Sequence, residues 1–305
     1  MHCKFWVFFI GEGRGRFGNQ FLVFSVFNQL QKQLGIQSYI NEECRRYVEG
    51  FFTPESVTVP VLSEVFCNPE DIKSRLYPYR GPFKDLVNDE KWRKGKIIEF
   101  YPPTEDDTSG YRPEDHVSNE QDAFNKAYVK HLRENMTFRD NLKERIDRRL
   151  RGIAKKYYSK KVKDITLVGV HIRRTDHIRF MKDNYDMEPL DAEYFNDAME
   201  YFKEEYENCM FIVASDDIKW AKKNLDKENN KIYFSDQDPK FHVDPGYAYE
   251  VMDNDMSKAA YDFALLTSCN HTIISRGTFS MWIALLTPGE YMTEYGAIVP
   301  PHLQA

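Results

Sequence analysis

The 305-residue chain has little that would place it in a membrane. Its longest apolar run near the start, residues 5–10, is six residues, against the roughly 20 that a spanning helix needs. The h-region length and small-residue cleavage site of a secretory signal are missing as well, so a first β-strand is the expectation there. Cysteine is sparse. The five cysteines, Cys3, Cys44, Cys67, Cys209 and Cys269, are scattered with no C-x-x-C pair and no ligand spacing, so a zinc site is not expected. An odd number leaves at least one thiol free or paired between chains, which keeps the redox compartment open. Positive charge is in deficit too. A net charge of -6 speaks against nucleic acid as a partner, because a polyanion needs a basic face. Residues 143–163 are a local basic exception, read as the solvated face of a helix and its exit. No internal repeat or low-complexity tract is present.

What is present describes a globular enzyme-sized chain. Hydrophobic residues make up 42% and charged residues 30%, enough for a large core, and 305 residues suit two domains of roughly 150 each. The expected division is 1–155 and 156–305. The stretch that organises the second half is ITLVGVHIRRTD, residues 165–176. Its first six residues are β-branched, apolar or glycine, as in a buried parallel strand. The polarity then flips, and His171, Arg173, Arg174 and Asp176 follow at once. In open α/β sheets the ligand crevice lies outside the carboxyl ends of the strands, where a guanidinium fork meets a phosphate. By itself the string is equally a surface salt-bridge cluster.

The remaining elements alternate. A strand at 5–10, a glycine-rich loop with Gly11, Gly13, Gly15 and Gly18, and a helix over 21–34 open the chain, an order suited to cradling a ligand. Short strands are expected at 56–62 and 96–101, an acidic surface loop at 102–115, and helix over 120–157 with a break at 135–139. After the central strand come a helix from Asp191 to 206, strand 210–214, helix 218–225, strand 232–234, helix 257–268, strand 272–275, helix 279–286 and strand 297–299. Strand and helix in alternation predict a doubly wound parallel sheet. Its strand ends carry polar clusters: the HIRRTD string, Ser215-Asp216-Asp217, and Ser275-Arg276-Gly277-Thr278. Together these suit a nucleotide-diphosphate pocket. An acidic residue accepts from guanine N1–H and N2–H, hydroxyls and a helix amino end hold phosphate, and arginine neutralises it.

These residues carry a resemblance. GRFGNQ (15–20), VGVHIRRTD (168–176), FIVASDD (211–217) and DFALLTSCNHTIISRGTFSMW (262–282) resemble the α-1,2-fucosyltransferases of glycosyltransferase family 11. The resemblance implies an α/β, GT-B-like fold of two Rossmann-like domains with parallel sheets, an acceptor-side domain first and a GDP-fucose-binding domain second. It implies an inverting transfer of L-fucose from GDP-β-L-fucose to the 2-hydroxyl of a terminal galactose on a glycan, without a metal or other cofactor. It puts Arg173 on the diphosphate with His171 beside it, Asp216 on guanine, Thr278 and Ser280 on phosphate, and Gly18 and Asn19 over the sugar-phosphate. Asp176 is the candidate base by position, or else a structural clamp on the arginines. The family commonly has glycine where Thr175 stands, and residues 51–111 match no acceptor-side pattern. Transfer to another sugar hydroxyl or to protein, and a silent GDP-sugar or glycan binder, are the competing readings. The resemblance also implies a Golgi-lumenal setting, with membrane attachment only through an anchor outside this sequence. In that setting Asn135 and Asn270, each opening an N-x-Thr sequon, are glycosylation candidates. Two D-x-D strings, 236–238 and 253–255, imitate a manganese site and are read as turn chemistry.

Overall fold

The structure, a computed structural model, describes residues 8–10, 17–34, 38–61, 76–79, 97–100, 126–237 and 254–298. Contacts divide the chain into two compact units, Met1–Tyr128 with Glu134–Thr137, and Val129–Arg133 with Phe138–Ala305.

In the first unit, β1 (Phe8–Ile10) leads to helices α1 (Phe17–Leu34) and α2 (Glu42–Phe51), then β2 (Leu76–Tyr79) and β3 (Ile97–Phe100). The three strands pair in parallel in the order β1-β3-β2. Helix α1 is largely buried, with Phe17, Phe21, Val23, Phe24, Val26 and Phe27 beside the polar Gln20, Ser25, Asn28 and Gln29, so it belongs inside a core. Phe51 and Phe52, at the end of α2, pack against Phe17 and Phe21. Helix α2 starts where the Asn41 side chain accepts the Cys44 N–H at 2.7 Å, an N-cap that satisfies one orphan donor. Among the described residues of the expected strand at 56–62 no strand forms. Pro54–Ser56 forms a 3₁₀ turn and Val61 makes one isolated bridge to Ile40, and Pro60 within the run has no N–H to give a ladder. The glycine loop through residue 16 and the acidic loop at 102–115 lie outside the described residues.

Helix α3 (Lys126–Asn135) and helix α4 (Asp140–Tyr158) flank the expected break. The proposed division at 155 would cut α4, whereas contacts place the whole of α4 in the second unit. The reason is its buried stripe of Leu142, Ile146, Leu150 and Ile153, which goes with the core that covers it. The basic residues of this run lie mostly on the opposite, exposed face, and Arg145 and Arg149 lie over the rings of Tyr261 and Tyr233.

The second unit continues with β4 (Thr166–Ile172), α5 (Thr175–Tyr185), α6 (Ala192–Glu205), β5 (Cys209–Ser215), α7 (Ile218–Asn224), β6 (Ile232–Phe234), α8 (Asn254–Thr267), β7 (His271–Ile274), α9 (Thr278–Leu286), β8 (Tyr291–Thr293) and β9 (Gly296–Ile298). They form a six-stranded sheet in the order β6-β5-β4-β7-β8-β9, parallel except for β9. Side chains alternate across it. Val168, Val170 and Ile172 of β4 join Phe211 and Val213 of β5 in a core with Phe195, Met199 and Phe202 of α6, while Gly169 faces Leu266 of α8. Helices therefore cover both faces, as the alternating pattern predicts. Two regular elements of this unit were not foreseen. Helix α5 buries only Met181, so it has no apolar period to read, and β8 is a three-residue strand. No helix among the described residues is long and apolar enough to cross a membrane, and Cys44, Cys209 and Cys269 are buried free thiols.

Helix α8 approaches the sheet closely at Gly169. A Cβ built there would stand 3.1 Å from Thr272 Cγ2 and 3.2 Å from both Leu266 Cδ2 and the Leu266 carbonyl oxygen. The backbone oxygen cannot step aside as a flexible side chain would. Gly169→Val should therefore lower stability by about 1–3 kcal/mol through overpacking, read as a lower midpoint in urea at an unchanged slope.

Candidate functional site

Parallel pairing gathers the polar clusters. The β4–β5 register sets Ile172 against Ser215, and the β4–β7 register sets His171 against Ile274. The residues that follow each strand therefore emerge side by side at the carboxyl edge, where α/β sheets bind ligands. Backbone and hydroxyl bonds tie the ends together. The Ser275 N–H donates to the His171 carbonyl at 3.1 Å, and the Arg173 N–H donates to Ser275 Oγ at 2.9 Å. Helix α6 is pinned to the same edge by the Tyr194 hydroxyl, which lies 2.8 Å from the Ile274 carbonyl and 3.0 Å from that of Met292.

The two arginines after β4 have different fates. Arg173 Nη1 donates to Asp216 Oδ2 and its Nη2 to Asp176 Oδ1, with its side chain 19% exposed. Arg174 turns away, its guanidinium stacked 3.9 Å above the Trp220 ring and bonded at 3.1 Å to the Leu190 carbonyl. A third arginine, Arg276, is clamped by the Glu294 carboxylate and the Glu188 carbonyl, so it braces the end of β7.

His171 is buried. Its Nδ1 lies 2.6 Å from Ser280 Oγ, which is 3.3 Å from Ser275 Oγ, and its ring rests on Phe279. Burial pushes its pKa down to about 3, so it is a neutral imidazole at working pH. Ser280 is 1% exposed; its hydroxyl orients the imidazole from inside the fold. Thr278 opens α9 behind Gly277, whose φ of +111° suits glycine and which gives the helix no side-chain cap. The amino end of α9 thus has backbone donors and a partial positive charge.

The other candidates are less concentrated. Gly18 and Asn19 stand in the first turn of α1 in the first unit; the helix starts at Phe17, earlier than the pattern suggested. Asp217, beside Asp216, is spent as the N-cap of α7, accepting the Trp220 N–H at 3.1 Å. Asp236 lies in a 3₁₀ turn and accepts from Lys222 Nζ at 2.5 Å, while Asp238 and Asp253 lie outside the described residues. Asn135 is exposed at the end of α3. Asn270 has a structural task, its Oδ1 accepting the Leu167 N–H at 2.8 Å, and the hydroxyl-bearing Thr272 of its sequon is fully buried in β7.

Three participants escaped the sequence reading. Thr175 donates to Asp216 Oδ2 and stands 3.1 Å from Asp176 Oδ1. His177, next to Asp176, lies with its ring against Gly277, has a buried Nε2 without a hydrogen-bond partner, and is held neutral, its pKa pushed down to about 4 chiefly by burial and then by Arg173. Asp262 is buried, bonded at 2.8 Å to Lys258, and burial raises its pKa against the pull of that lysine. The adjacency of His177 to HIRRTD and the place of Asp262 at the head of a long motif were the available signals.

A profile described as glycosyl transferase family 11 matches residues 111–295. The chain is 26% identical over 298 residues to galactoside alpha-(1,2)-fucosyltransferase 2 of Gorilla gorilla gorilla, covering 95% of this chain and 73% of that protein. It is 31% identical over 166 residues to galactoside alpha-(1,2)-fucosyltransferase 1 of Sus scrofa, covering 54% of this chain and 41% of that one. Among solved structures it is similar to the fucosyltransferase NodZ from Bradyrhizobium, with a TM-score of 0.50, 15% identity, and 96% and 99% of the two chains covered. That last likeness is one of fold, the GT-B-like fold of two α/β units expected from the sequence.

The neutral state of His171 has a consequence for stability. In the unfolded chain a histidine binds a proton near pH 6.5, whereas folded His171 resists it down to about pH 3. The stabilisation is therefore complete above pH 6.5 and is lost as pH falls toward 3, by up to about 1.4 kcal/mol per pH unit. Melting temperature should drop from pH 7.5 to pH 4.5, and a His171→Asn variant should show a flatter dependence over the same range.

Proposed function

The chain belongs to glycosyltransferase family 11, and from that premise we propose that it transfers L-fucose from GDP-β-L-fucose to the 2-hydroxyl of a terminal galactose with inversion at the anomeric carbon. The observation that carries the reading is the convergence, at one sheet edge, of a fixed arginine and the amino end of α9. Both are suited to a diphosphate, and the relatives that match are fucosyltransferases by name.

The chemistry follows from charge. As the bond from the fucose anomeric carbon to the β-phosphate oxygen breaks, negative charge grows on the diphosphate. Arg173, already oriented and only 19% exposed, stabilises that change more than it stabilises the ground state. The first turn of α9, with Thr278, adds backbone and hydroxyl donors. His171, neutral and held by Ser280, shapes the wall of the site without adding charge to it. The acceptor hydroxyl attacks from the face opposite the leaving group, which inverts the centre. Asp176, its side chain 61% exposed beside Arg173, is the group proposed to take the proton. A carboxylate paired with arginine is a weak base, and it suffices if positive character builds on the sugar before the proton leaves. Because Arg173 and α9 supply the positive charge, the reading calls for no resident metal.

Arg173→Ala should lower turnover on the order of 10²-fold, and Arg173→Lys should recover only part of it, since an ammonium cannot reproduce the fork. The measurement is GDP release from GDP-fucose in EDTA, with and without a β-galactoside, together with linkage analysis of the product. Release that the galactoside does not stimulate, or that Arg173→Ala leaves intact, would overturn the reading.

A further inference from the structure

Asp216 was expected to read the guanine base, yet protein groups already occupy both of its oxygens. Oδ1 accepts the Arg174 N–H at 2.8 Å, and Oδ2 accepts from Arg173 Nη1 and from the Thr175 hydroxyl. Oδ2 thus accepts twice, so to present both oxygens in plane to the N1–H and N2–H of guanine the carboxylate would have to release Arg173 or Thr175 from it. Its side chain is 23% exposed and that of Arg173 19%, so this ion pair is partly withdrawn from water. Parting it for a neutral base edge would leave a partly desolvated guanidinium less well paired.

We propose that Asp216 is a positioning residue, which together with Asp176 and the Thr175 hydroxyl holds the Arg173 guanidinium in the pose that meets the diphosphate, and that the base is read elsewhere. The inference rests on the donor reading of the site given above. A guanidinium has five N–H groups. The carboxylates take one on Nη1 and one on Nη2, and Thr175 Oγ1 makes only a long 3.4 Å contact to Nη1. A phosphate oxygen can therefore be added without displacing either carboxylate.

Thr175 explains its own presence in this arrangement. It is the first residue of α5, where a glycine would contribute no hydroxyl. Here the hydroxyl lies within reach of Asp216 Oδ2 and, at 3.1 Å, of Asp176 Oδ1. Its single proton serves one carboxylate at a time; the closer contact is to Asp216, so it ties the start of α5 to the end of β5 beside Arg173. The end of β4, the start of α5 and the end of β5 thereby become one hydrogen-bonded unit around a single arginine. Its two aspartates pair with the Arg173 guanidinium until donor arrives. Asp176 is also well placed in the first turn of α5, where the helix dipole favours an anion.

The test uses the full chain and its Asp216→Asn, Thr175→Val and Thr175→Ser variants. Dissociation constants for GDP and for IDP, which lacks the guanine amino group, are measured beside kcat on GDP-fucose. A positioning role predicts that Asp216→Asn shifts GDP and IDP binding by the same factor, keeping their ratio within about twofold of the parent. It also predicts that kcat falls on the order of 10-fold, because the arginine is no longer aimed. Thr175→Val should move kcat in the same direction by a smaller factor, and Thr175→Ser should restore it. A GDP-to-IDP preference that collapses in Asp216→Asn would make Asp216 the base reader and overturn the proposal. An unchanged kcat in both Asp216→Asn and Thr175→Val would also overturn it. If Asp216→Asn does not fold, the Thr175 pair decides the matter, since exposed Thr175 lies outside the core. A parent chain that binds neither GDP nor IDP would instead remove the donor reading itself, and this inference with it.

Discussion

The parallel ladder of β4 with β5 and β7 is the constraint on which the rest depends. Its register brings Arg173, Asp216 and Ser275 to one edge although they lie far apart in sequence. A slip of one residue would turn the β4 side chains to the opposite face, exchanging Val168, Val170 and Ile172 with the positions that face α8. The buried apolar set of β4 and the close approach of α8 at Gly169 both oppose such a slip. Core packing thus fixes where the polar groups of the site emerge.

On that frame the site is arranged by burial as much as by charge. His171 and His177 are both kept neutral, and burial is the first cause in each case. Arg173 consequently works without a second cation on either ring. Its own charge is balanced by carboxylates on two different elements. The arrangement resembles a holder for a guanidinium more than a scatter of surface pairs, because backbone N–H groups and hydroxyls take part in it. The HIRRTD string does form a cluster of ion pairs, and the proposed function assigns the arginine at its centre to the diphosphate.

The parts legible in the sequence were those with strong local signals. The β-branched run before HIRRTD became β4, Asp191 capped α6, and the strand–helix alternation became a parallel sheet with helices on both faces. Weak local signals misled. The apparent strand at 56–62 gave only an isolated bridge among its described residues, Pro60 within it having no N–H for a ladder, and α5 was invisible because it buries almost nothing. The basic run proved to lie largely on the outer face of α4, where two of its arginines also cover tyrosine rings.

Residue types and spacing were sufficient, by themselves, to determine an α/β chain with polar clusters at strand ends, because periodicity and abrupt polarity changes are local properties. Motif resemblance added the family. The tertiary structure decided which polar groups face the site and which are committed elsewhere. Arg174 lies on Trp220, Ser280 on His171, and Asp216 on Arg173. A side chain's partner is set by what the fold brings beside it, often from more than forty positions away, and no local pattern encodes that neighbour.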